Sequence, residues 1–339
     1  MLHLTNGKAI IENVRGIAGP APIVPWDDVL HEGPVPAGLG PAALRERRAD
    51  FLAGAGADSF KEILKGLEER DRALEEALVD PRCDEIVLWF EHDLYDQLHL
   101  IQILDRVPID GPPSRGRSGE AGGPRISLVQ PRTYLGHQPL SDYPGLFDGR
   151  RMVTSAERIA ARDAWGSFRS SDPRAILDVL PRITVLPHLG PALTRHLEQF
   201  PSLRNGLSRT EQATLDVIQS GVTRVRDVFV ASQGREEAFF MGDAGFIFHI
   251  ASLVRSHRPL LSVVDRKVRA TGSPEPFDPY DLKTLDVDLT LTSLGRSVLV
   301  GESDRVELCA IDRWLGGVHI SGTGPVWRWD GERQALRMA

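Results

Sequence analysis

The chain lacks the features that would assign it to a disulfide-rich, zinc-binding or membrane class. Its 339 residues include only two cysteines, Cys83 and Cys309, which are far apart and form no CxxC pair. A disulfide scaffold and a cysteine zinc site are therefore excluded, and two inert thiols are expected. No run approaches the ~20 apolar residues of a membrane helix, and the first residues, MLHLTNGK, lack the pattern of a signal peptide. These absences predict a cytoplasmic protein with no membrane partner.

The chain also lacks an excess of positive charge. Its 40 Lys and Arg residues and 47 Asp and Glu residues give a formal charge of −7. This balance offers no general attraction to nucleic acid or to anionic membranes, so binding to either would need a local basic patch. The fractions of hydrophobic and charged residues, 41% and 26%, are ordinary for a globular protein.

Length and hydrophobic pattern predict three regions, because 339 residues exceed what one hydrophobic core usually serves. Strand-like and helix-like segments alternate over 1–150, which predicts an α/β domain with a parallel, Rossmann-like sheet. Residues 151–203 have the pattern of a helical connector. Over 204–339, three helices followed by two strands predict a winged-helix-like α+β domain. The almost apolar-free segment 110–124 is predicted to be a surface insertion.

The most informative segment is EIVLWFEHDLYDQLHLIQIL, over 85–104. A strand-like apolar run ends in Glu91-His92-Asp93, and a helix-like pattern carrying Asp96 and Gln97 follows. In open parallel sheets, ligands bind where strands end and helices begin. Imidazole and carboxylate groups together can exchange protons near neutral pH. The sequence therefore predicts catalytic roles for Glu91, His92 and Asp93, and ligand-binding roles for Asp96 and Gln97.

The same residues also have a purely structural explanation. Asp93 has the position of a helix N-cap, and Asp96 would lie favourably in the first turn of the helix. Glu91 could simply face water. Gln97 lies on the apolar face of the helix, where a buried amide needs specific partners, whereas His99 is predicted to be a solvated surface residue.

Two earlier strand ends carry similar polar groups. If the strands are parallel, these groups lie along the same edge of the sheet as Glu91. Neighbouring residues of a strand point to opposite faces, so at most one of Asp27 and Asp28 faces a pocket there. The additional predicted ligand-binding residues are His3, Asn6, Gly7, Asp27 and His31.

Metal and phosphate binding have weaker support. Asp96 and His99 have the spacing of a ligand pair, but no second HxxxH, HxxE or cysteine pair completes a set, so no metal is predicted. Asn6-Gly7-Lys8 lies between a strand and a helix, where backbone amides favour anions. It has one glycine where a GxGxxG fingerprint has three, and no P-loop or GxSxG is present. The expected ligand is a small molecule, with a phosphorylated one among the options, and any cofactor is left open.

The last third of the chain raises the question of DNA binding. Over 203–339 there are 17 Lys and Arg against 18 Asp and Glu, a net of 17 − 18 = −1. The third helix of the predicted winged helix is mostly apolar, and its polar residues are His249, Ser252, Arg255 and His257. A duplex-binding module normally has a basic stripe and polar residues on the recognition helix. A winged helix that packs against protein is at least as well supported as one that binds DNA.

Several phrases together resemble a known bacterial family, the one catalogued as domain of unknown function 1835. The phrases are HLTNGKA, PWDDVLHEGPVP, LWFEHDLYDQLHLIQIL, DAWGSFRSSDPRAI, LPHLGPALTRHLEQFPS, NGLSRTEQ and RWLGGVH. The resemblance covers nearly the whole chain, and Gly33-Pro34, Glu91 and Gln97 match recurring family features. It implies a Rossmann-like N-terminal domain in an intracellular bacterial protein. The family has no assigned reaction, so the resemblance implies no catalytic residues.

Three functions are therefore compatible with the sequence. The first is a small-molecule binder or enzyme that uses acid/base chemistry at the sheet edge. The second is a ligand-responsive regulator that binds DNA through the winged helix, with Arg224 and Arg226 contacting phosphates. The third is a protein-interaction scaffold. Whether the protein is an enzyme, and its oligomeric state, are left open.

Overall fold

The computed structural model of the protein describes residues 1–109, 123–264, 277 and 282–339. The predicted insertion at 110–124 lies outside the described residues, apart from its last two positions. Contacts between Cα atoms group the chain into two compact units. One contains Met1–Thr194 with Gly316–Val318, and the other contains Arg195–Leu315 with His319–Ala339. The division of the chain into regions 1–150, 151–203 and 204–339 stays a prediction.

The first unit alternates strands and helices, as the sequence pattern predicts. Its elements are β1 (Leu2–Thr5), α1 (Ile11–Ala18), β2 (Ile23–Pro25), β3 (Gly33–Pro34), α2 (Pro41–Gly54), α3 (Phe60–Val79), β4 (Glu85–Trp89), α4 (Leu94–Arg106), β5 (Arg125–Val129), α5 (Tyr143–Asp148), β6 (Arg151–Met152), α6 (Ser155–Phe168), α7 (Arg174–Val179) and α8 (Leu189–Leu197), which runs past the end of the unit.

Five of these strands form one sheet in the order β2-β1-β4-β5-β6. The first four are parallel, with Thr5 opposite both Pro25 and Trp89, and Trp89 opposite Val129. Only β6, which the sequence pattern did not predict, is antiparallel. The carboxyl ends of β1, β2, β4 and β5 therefore meet at one edge. The prediction of an α/β fold with a mostly parallel sheet is confirmed.

The central strand β4 lies at the core of the first unit. All of its residues are buried, as expected for a strand of a parallel sheet that is covered on both faces. On one face, Val87 and Trp89 join an apolar cluster with Val14 of α1, Ile10 at the N-cap of α1, and Tyr143 of α5. This packing fixes the end of β4, and with it the start of the polar segment that follows.

Helix α4 begins immediately after that segment. Asp93 is its N-cap, and the Asp93 carboxylate accepts a hydrogen bond from the Asp96 amide at 3.2 Å, as the sequence predicts. The helix packs along α6, and its residues from Asp96 to Leu104 are all buried. A helix buried on all sides forces its polar residues to find partners inside the protein.

The second unit is mainly helical at first and ends in short strands. Its elements are α9 (Arg209–Gln219), α10 (Val225–Gln233), α11 (Asp243–Val254), β7 (Leu261–Val264), β8 (Asp288–Leu291), α12 (Ser293–Val300), α13 (Arg305–Leu308), β9 (Ile311–Gly316), β10 (Val318–Gly322), β11 (Trp327–Asp330) and β12 (Ala335–Met338). The pairs β7–β8 and β11–β12 are antiparallel. A capping box between Ser208 and Glu211 starts α9.

Across the described part of the chain, none of the helices combines the length and the apolar character that crossing a membrane requires.

Candidate functional site at the carboxyl edge of the sheet

The loops that follow β1, β2 and β4 lie together, because the strands are parallel neighbours in the sheet. Hydrogen bonds join the first and third of these loops directly. Asn6, after β1, donates from Nδ2 to Oδ2 of Asp96 at 2.9 Å, across 90 positions of sequence. The same Asp96 oxygen accepts the backbone amide of Glu91. Asp96 thus links the end of β1 to the end of β4.

Glu91 is held at four points. Its amide donates to Asp96, and its backbone carbonyl accepts from Gln97 Nε2 at 2.6 Å and from Gln130 Nε2 at 3.1 Å. Its carboxylate oxygen Oε1 accepts the amide of Leu135 at 2.5 Å. The prediction that a buried Gln97 amide has specific partners is confirmed. Three of these hydrogen bonds fix the backbone of Glu91, and the bond from Leu135 fixes its side chain at the edge.

Glu91, Asp93 and Asp96 form a cluster of carboxyl groups, called the carboxyl cluster below. One oxygen from each lies within 4.8 Å of the others, and the three residues are 5%, 4% and 1% exposed. Among the described residues, no Lys or Arg forms an ion pair with any of them. Burying ionised carboxylates without a cation is costly, so such groups bind protons or a metal ion instead.

The cluster holds protons unusually tightly. Burial, reinforced by the charge of Glu91, raises the pKa of Asp93 to about 7. Burial and the charges of Asp93 and Glu91 raise the pKa of Asp96 well above its ordinary value. Burial also raises the pKa of Glu91, against the opposing hydrogen bond from Leu135. The three groups are close enough for each charge to affect the titration of the others, and near neutral pH Asp93 is protonated in part of the molecules.

His92 lies beside the cluster and is partly exposed. Burial lowers its pKa, so at neutral pH its ring is an uncharged imidazole. Its Nδ1 is buried and has no hydrogen-bond partner among the described residues. An uncharged imidazole with a free nitrogen can accept a proton, which is the property that a general base requires.

Gly7 and Asp27 lie side by side at the ends of β1 and β2. Gly7 has a φ of 128°, which L side chains rarely adopt, and a Cβ there would lie 3.0 Å from Oδ1 of Asp27. Asp27 is partly exposed, and Nζ of Lys8 lies 3.9 Å from its Oδ2. Burial raises the pKa of Asp27, with Lys8 opposing the shift. Asp27 is thus the more accessible acid at this edge.

The structure buries two of the predicted ligand-binding residues, His3 and His31. His3 is the second residue of β1, so it lies inside the sheet rather than at its end. Its Nδ1 accepts the indole N–H of Trp89 at 3.1 Å, and burial lowers its pKa to about 4. His31 is buried at 2% exposure, with its ring 6.1 Å from that of Tyr95. Tyr95, not His31, is the partly exposed residue of this pair.

The prediction that His99 is solvated is wrong. The residue is fully buried, and its ring meets that of Tyr95 edge-on at a centroid distance of 4.4 Å. Burial lowers the pKa of His99 to about 3. The error arose because α4 was treated as a helix with one exposed face, whereas α4 is buried on nearly all sides.

Three further residues of the edge escaped the sequence analysis. Gln130, Tyr134 and Leu135 follow β5, which is the neighbour of β4 in the sheet, and two of them hold Glu91 in place. The signal that could have found them is the rule already applied to the other strands, since Gln130 is the first polar residue after an apolar strand.

The carboxyl cluster is also the group of described residues suited to a metal ion. Oxygen atoms within 4.8 Å of one another can coordinate a hard divalent cation such as Mg²⁺ or Mn²⁺, which prefers oxygen ligands. A cation would compete with the protons that the cluster otherwise holds. The arrangement can therefore do one of two things, namely exchange protons or bind a cation.

The second unit has a small cavity of its own. It is lined by Thr210, Ala213, Ser232, Gln233, Glu236, Phe240, Met241 and Phe246, and its volume is about 10 Å³. A space of this size holds about one water molecule. None of the residues predicted to form a site lines it, so it is not a candidate for the ligand site.

Comparisons with protein-family models and with curated proteins assign no family to the chain. A scan against protein-family models finds none that matches the chain, and a search of curated proteins finds no match. The resemblance to the family of unknown function stays a prediction.

Proposed function

We propose that the carboxyl edge of the first unit's sheet binds a small molecule and exchanges protons with it. Glu91, His92 and Asp93 are the acid/base residues of this proposal, and Asp27 is the polar residue that meets the ligand first. The observation that carries the proposal is the carboxyl cluster: three buried acids with oxygens within 4.8 Å of one another, with no described Lys or Arg paired to them, at the edge where parallel sheets bind ligands.

The protonation states support complementary roles. With a pKa of about 7, Asp93 is protonated in part of the molecules at neutral pH and can donate a proton. His92, whose pKa is lowered by burial, is an uncharged acceptor. The two environments reverse the usual order of an aspartate and a histidine, since the pKa of Asp93 is raised to about 7 and that of His92 is lowered from 6.5, which assigns Asp93 as proton donor and His92 as acceptor.

The roles of other predicted residues change in this proposal. Asn6 and Gln97 use their amides inside the protein, on Asp96 and on the Glu91 carbonyl. They therefore position the acids rather than contact the ligand. Gly7 keeps the loop close to Asp27.

The test compares the wild-type protein with Glu91→Gln and Asp93→Asn after incubation with a bacterial metabolite extract. Mass spectrometry identifies compounds that the protein retains or converts. General acid/base residues typically contribute ~100- to 10,000-fold to a rate, so conversion is expected to fall by at least ~100-fold in either variant. Glu76→Gln, on the exposed surface of α3, is the matched control and should behave as wild type. The same compounds converted at the same rates by all four proteins would refute the proposal.

DNA binding by the second unit is the second candidate, because its element order favours a winged helix. Three helices, α9 to α11, precede the antiparallel pair β7–β8. Residue 224, between α9 and α10, bridges to Asp288 of β8, as a first short strand would. The segment between β7 and β8 is outside the described residues, except for position 277 and the residues from 282 onward.

The surface of α11 opposes DNA binding. His249 is buried, with its Nε2 3.4 Å from Arg313 of β9, so it is not free to contact bases. Arg226 is engaged with Asp286 at 3.2 Å. The experiment is a titration with a random duplex at low salt. Binding that weakens with salt and falls in the Arg224→Ala, Arg226→Ala double variant would support a DNA-binding regulator, and no binding would remove it.

A further inference from the structure

Three arginines, one each from α2, α3 and α4, bind a single aspartate of the first unit. Oδ2 of Asp71, in α3, accepts a hydrogen bond from Nη1 of Arg45 at 2.9 Å and another from Nη2 of Arg106 at 2.8 Å. Oδ1 of Asp71 accepts from Nε of Arg70 at 3.3 Å. These three arginines are called the arginine group below. None of them belongs to the carboxyl cluster, and none takes part in the proposed function.

The charges of the arginine group are not balanced. Arginine keeps its proton in proteins, so three guanidinium groups and one carboxylate leave a net of 3 − 1 = +2. Asp71 is the one acid among the described residues within ion-pair distance of the group. Asp105, next to Arg106 in the chain, pairs with Arg162 at 3.8 Å. Asp71 is 1% exposed and Arg70 is 5% exposed, and surplus charge in so enclosed a place is costly without a counter-ion.

Two members of the arginine group also have unused hydrogen-bond donors. Arg45 and Arg106 each make one side-chain hydrogen bond to the described residues, the one to Asp71. Nε of Arg45 and Nη1 of Arg106 are buried without a partner among those residues, although a guanidinium has five N–H donors to satisfy. The two side chains are 19% and 16% exposed, so solvent reaches them. Buried donors and surplus positive charge at one place both require a negatively charged acceptor.

Arg48, which is also in α2, is a buried arginine whose charge and donors are both satisfied. It faces one carboxylate, that of Asp28, to which its Nε and Nη2 donate at 3.1 and 2.7 Å. Its remaining nitrogen, Nη1, donates to the carbonyl of Glu32 at 2.7 Å. The position of Arg106 in the last turn of α4 is favoured by the helix dipole. The dipole explains neither the position of Arg45 nor the unused donors.

We propose that Arg45 and Arg106 bind a phosphate group, either that of inorganic phosphate or that of a small phosphate ester. Such a group carries a charge of about −1.5 to −2 at neutral pH and three acceptor oxygens, which match the surplus charge and the unused donors. Arginine binds phosphate through parallel N–H groups, whereas a carboxylate brings one charge and two oxygens. Arg70 also donates Nη1 to the backbone carbonyl of Asp27 at 2.7 Å, so its role is structural. The inference goes beyond the proposed function, because the site contains none of the acids of the carboxyl cluster.

The test is a calorimetric titration of the wild-type protein with inorganic phosphate at pH 8, where phosphate is mainly the dianion. Chloride keeps the ionic strength constant, because salt screens charges near the surface. Phosphate is expected to bind at least ~10-fold more tightly than acetate, the scale of one hydrogen bond to a charged group. Acetate that binds as tightly as phosphate would overturn the inference. Glycerol 3-phosphate is the second arm. Binding at least as tight as that of inorganic phosphate would identify a phosphate ester as the source of the group, and weaker binding would identify free phosphate.

Variants locate the binding at the arginine group. Arg45→Met and Arg106→Met are each expected to weaken phosphate binding by ~10-fold or more, since each removes hydrogen bonds to a charged group. Arg45→Lys keeps the charge but loses the planar fork, so its affinity should lie between those of Arg45→Met and wild type. Arg72→Met removes a surface arginine of α3 that pairs with Glu76 at 4.0 Å, and this control should bind phosphate as wild type does. Thermal midpoints without phosphate check that the variants are folded. No binding of phosphate to wild type, or unchanged affinity in both Met variants of the group, would overturn the inference.

Discussion

The first unit contains two groups of buried acids, and they differ in whether arginine side chains are paired with them. Asp28 and Asp71 are 3% and 1% exposed, and both are paired with arginine. Arg48 bonds Asp28 with Nη2 at 2.7 Å and Nε at 3.1 Å, and both side chains are almost completely buried. The members of the carboxyl cluster are buried to the same degree and have only hydrogen bonds from amides.

The arginines decide the sign of the pKa shifts. Burial alone would raise the pKa of Asp28, but the charge of Arg48 and its hydrogen bonds outweigh burial, so that pKa is lowered. Burial would likewise raise the pKa of Asp71, and hydrogen bonds and charges from Arg106, Arg70 and Arg45 reverse the shift. In the carboxyl cluster nothing reverses it. Burial by itself therefore does not point to a functional acid, and the proposed function rests instead on burial without a paired arginine.

The largest expected effect is on the paired acids. Asp28→Asn leaves the buried guanidinium of Arg48 without its counter-charge, and breaking a buried ion pair in this way costs about 3–5 kcal/mol. Asp50→Asn is the matched control, because Asp50 also pairs with an α2 arginine, Arg47, but at the surface and at 3.8 Å. Its cost should stay below about 1 kcal/mol. Unfolding in urea measures the free energy of unfolding of both variants. Equal losses of stability would show that the contribution of an ion pair does not depend on its burial.

Asp93→Asn should instead stabilise the protein, because it removes an acid that becomes buried on folding. The pKa of Asp93 is raised from 3.8 to about 7, so its contribution to stability is complete below pH 3.8 and is lost as the pH rises through about 7. Asparagine stays neutral and is an equally good N-cap. The variant should therefore be more stable than wild type above pH 7, by up to about 4 kcal/mol.

Measuring the free energy of unfolding from pH 4 to pH 8 checks this prediction. The gain should disappear toward pH 4, where both side chains are neutral. A difference that is constant with pH would mean that Asp93 titrates normally. In the paired group the sign is opposite, since the lowered pKa of Asp28 gives stability above its ordinary pKa that is lost as the pH falls.

The sequence was sufficient to predict which loops lie at the carboxyl edge of the sheet, but not which residues form hydrogen bonds with each other there. Apolar runs that end in polar residues located three of the four loops, and an aspartate before a helix-like pattern located the cap at Asp93. These features depend on residues close together in the chain. The contact from Asn6 to Asp96, across 90 positions, follows from strand order, which periodicity does not contain.

The buried histidines show the same limit. His3, His31 and His99 are polar residue types that composition places at the surface or in a site, yet all three are buried. Which face of a helix or strand is covered depends on the elements packed against it. The groups around His99 include Asp28 and Arg70, which belong to earlier segments of the chain, so no local pattern could have revealed the burial of His99.

The smallest expected effect distinguishes cation binding by the carboxyl cluster from proton exchange. Mg²⁺ or Mn²⁺ bound by Glu91, Asp93 and Asp96 would supply the counter-charge that Arg48 supplies to Asp28. Binding to the folded state alone stabilises a protein by about 1–3 kcal/mol at a cation concentration of about 10–100 times the dissociation constant. The thermal midpoint of wild type should then rise more at pH 8, above the pKa of about 7 of Asp93, than at pH 5, where Asp93 holds a competing proton. Asp93→Asn removes one ligand and should reduce the shift, while K⁺ at equal ionic strength controls for screening. An unchanged midpoint at both pH values would leave proton exchange as the chemistry that distinguishes these acids from their arginine-paired neighbours.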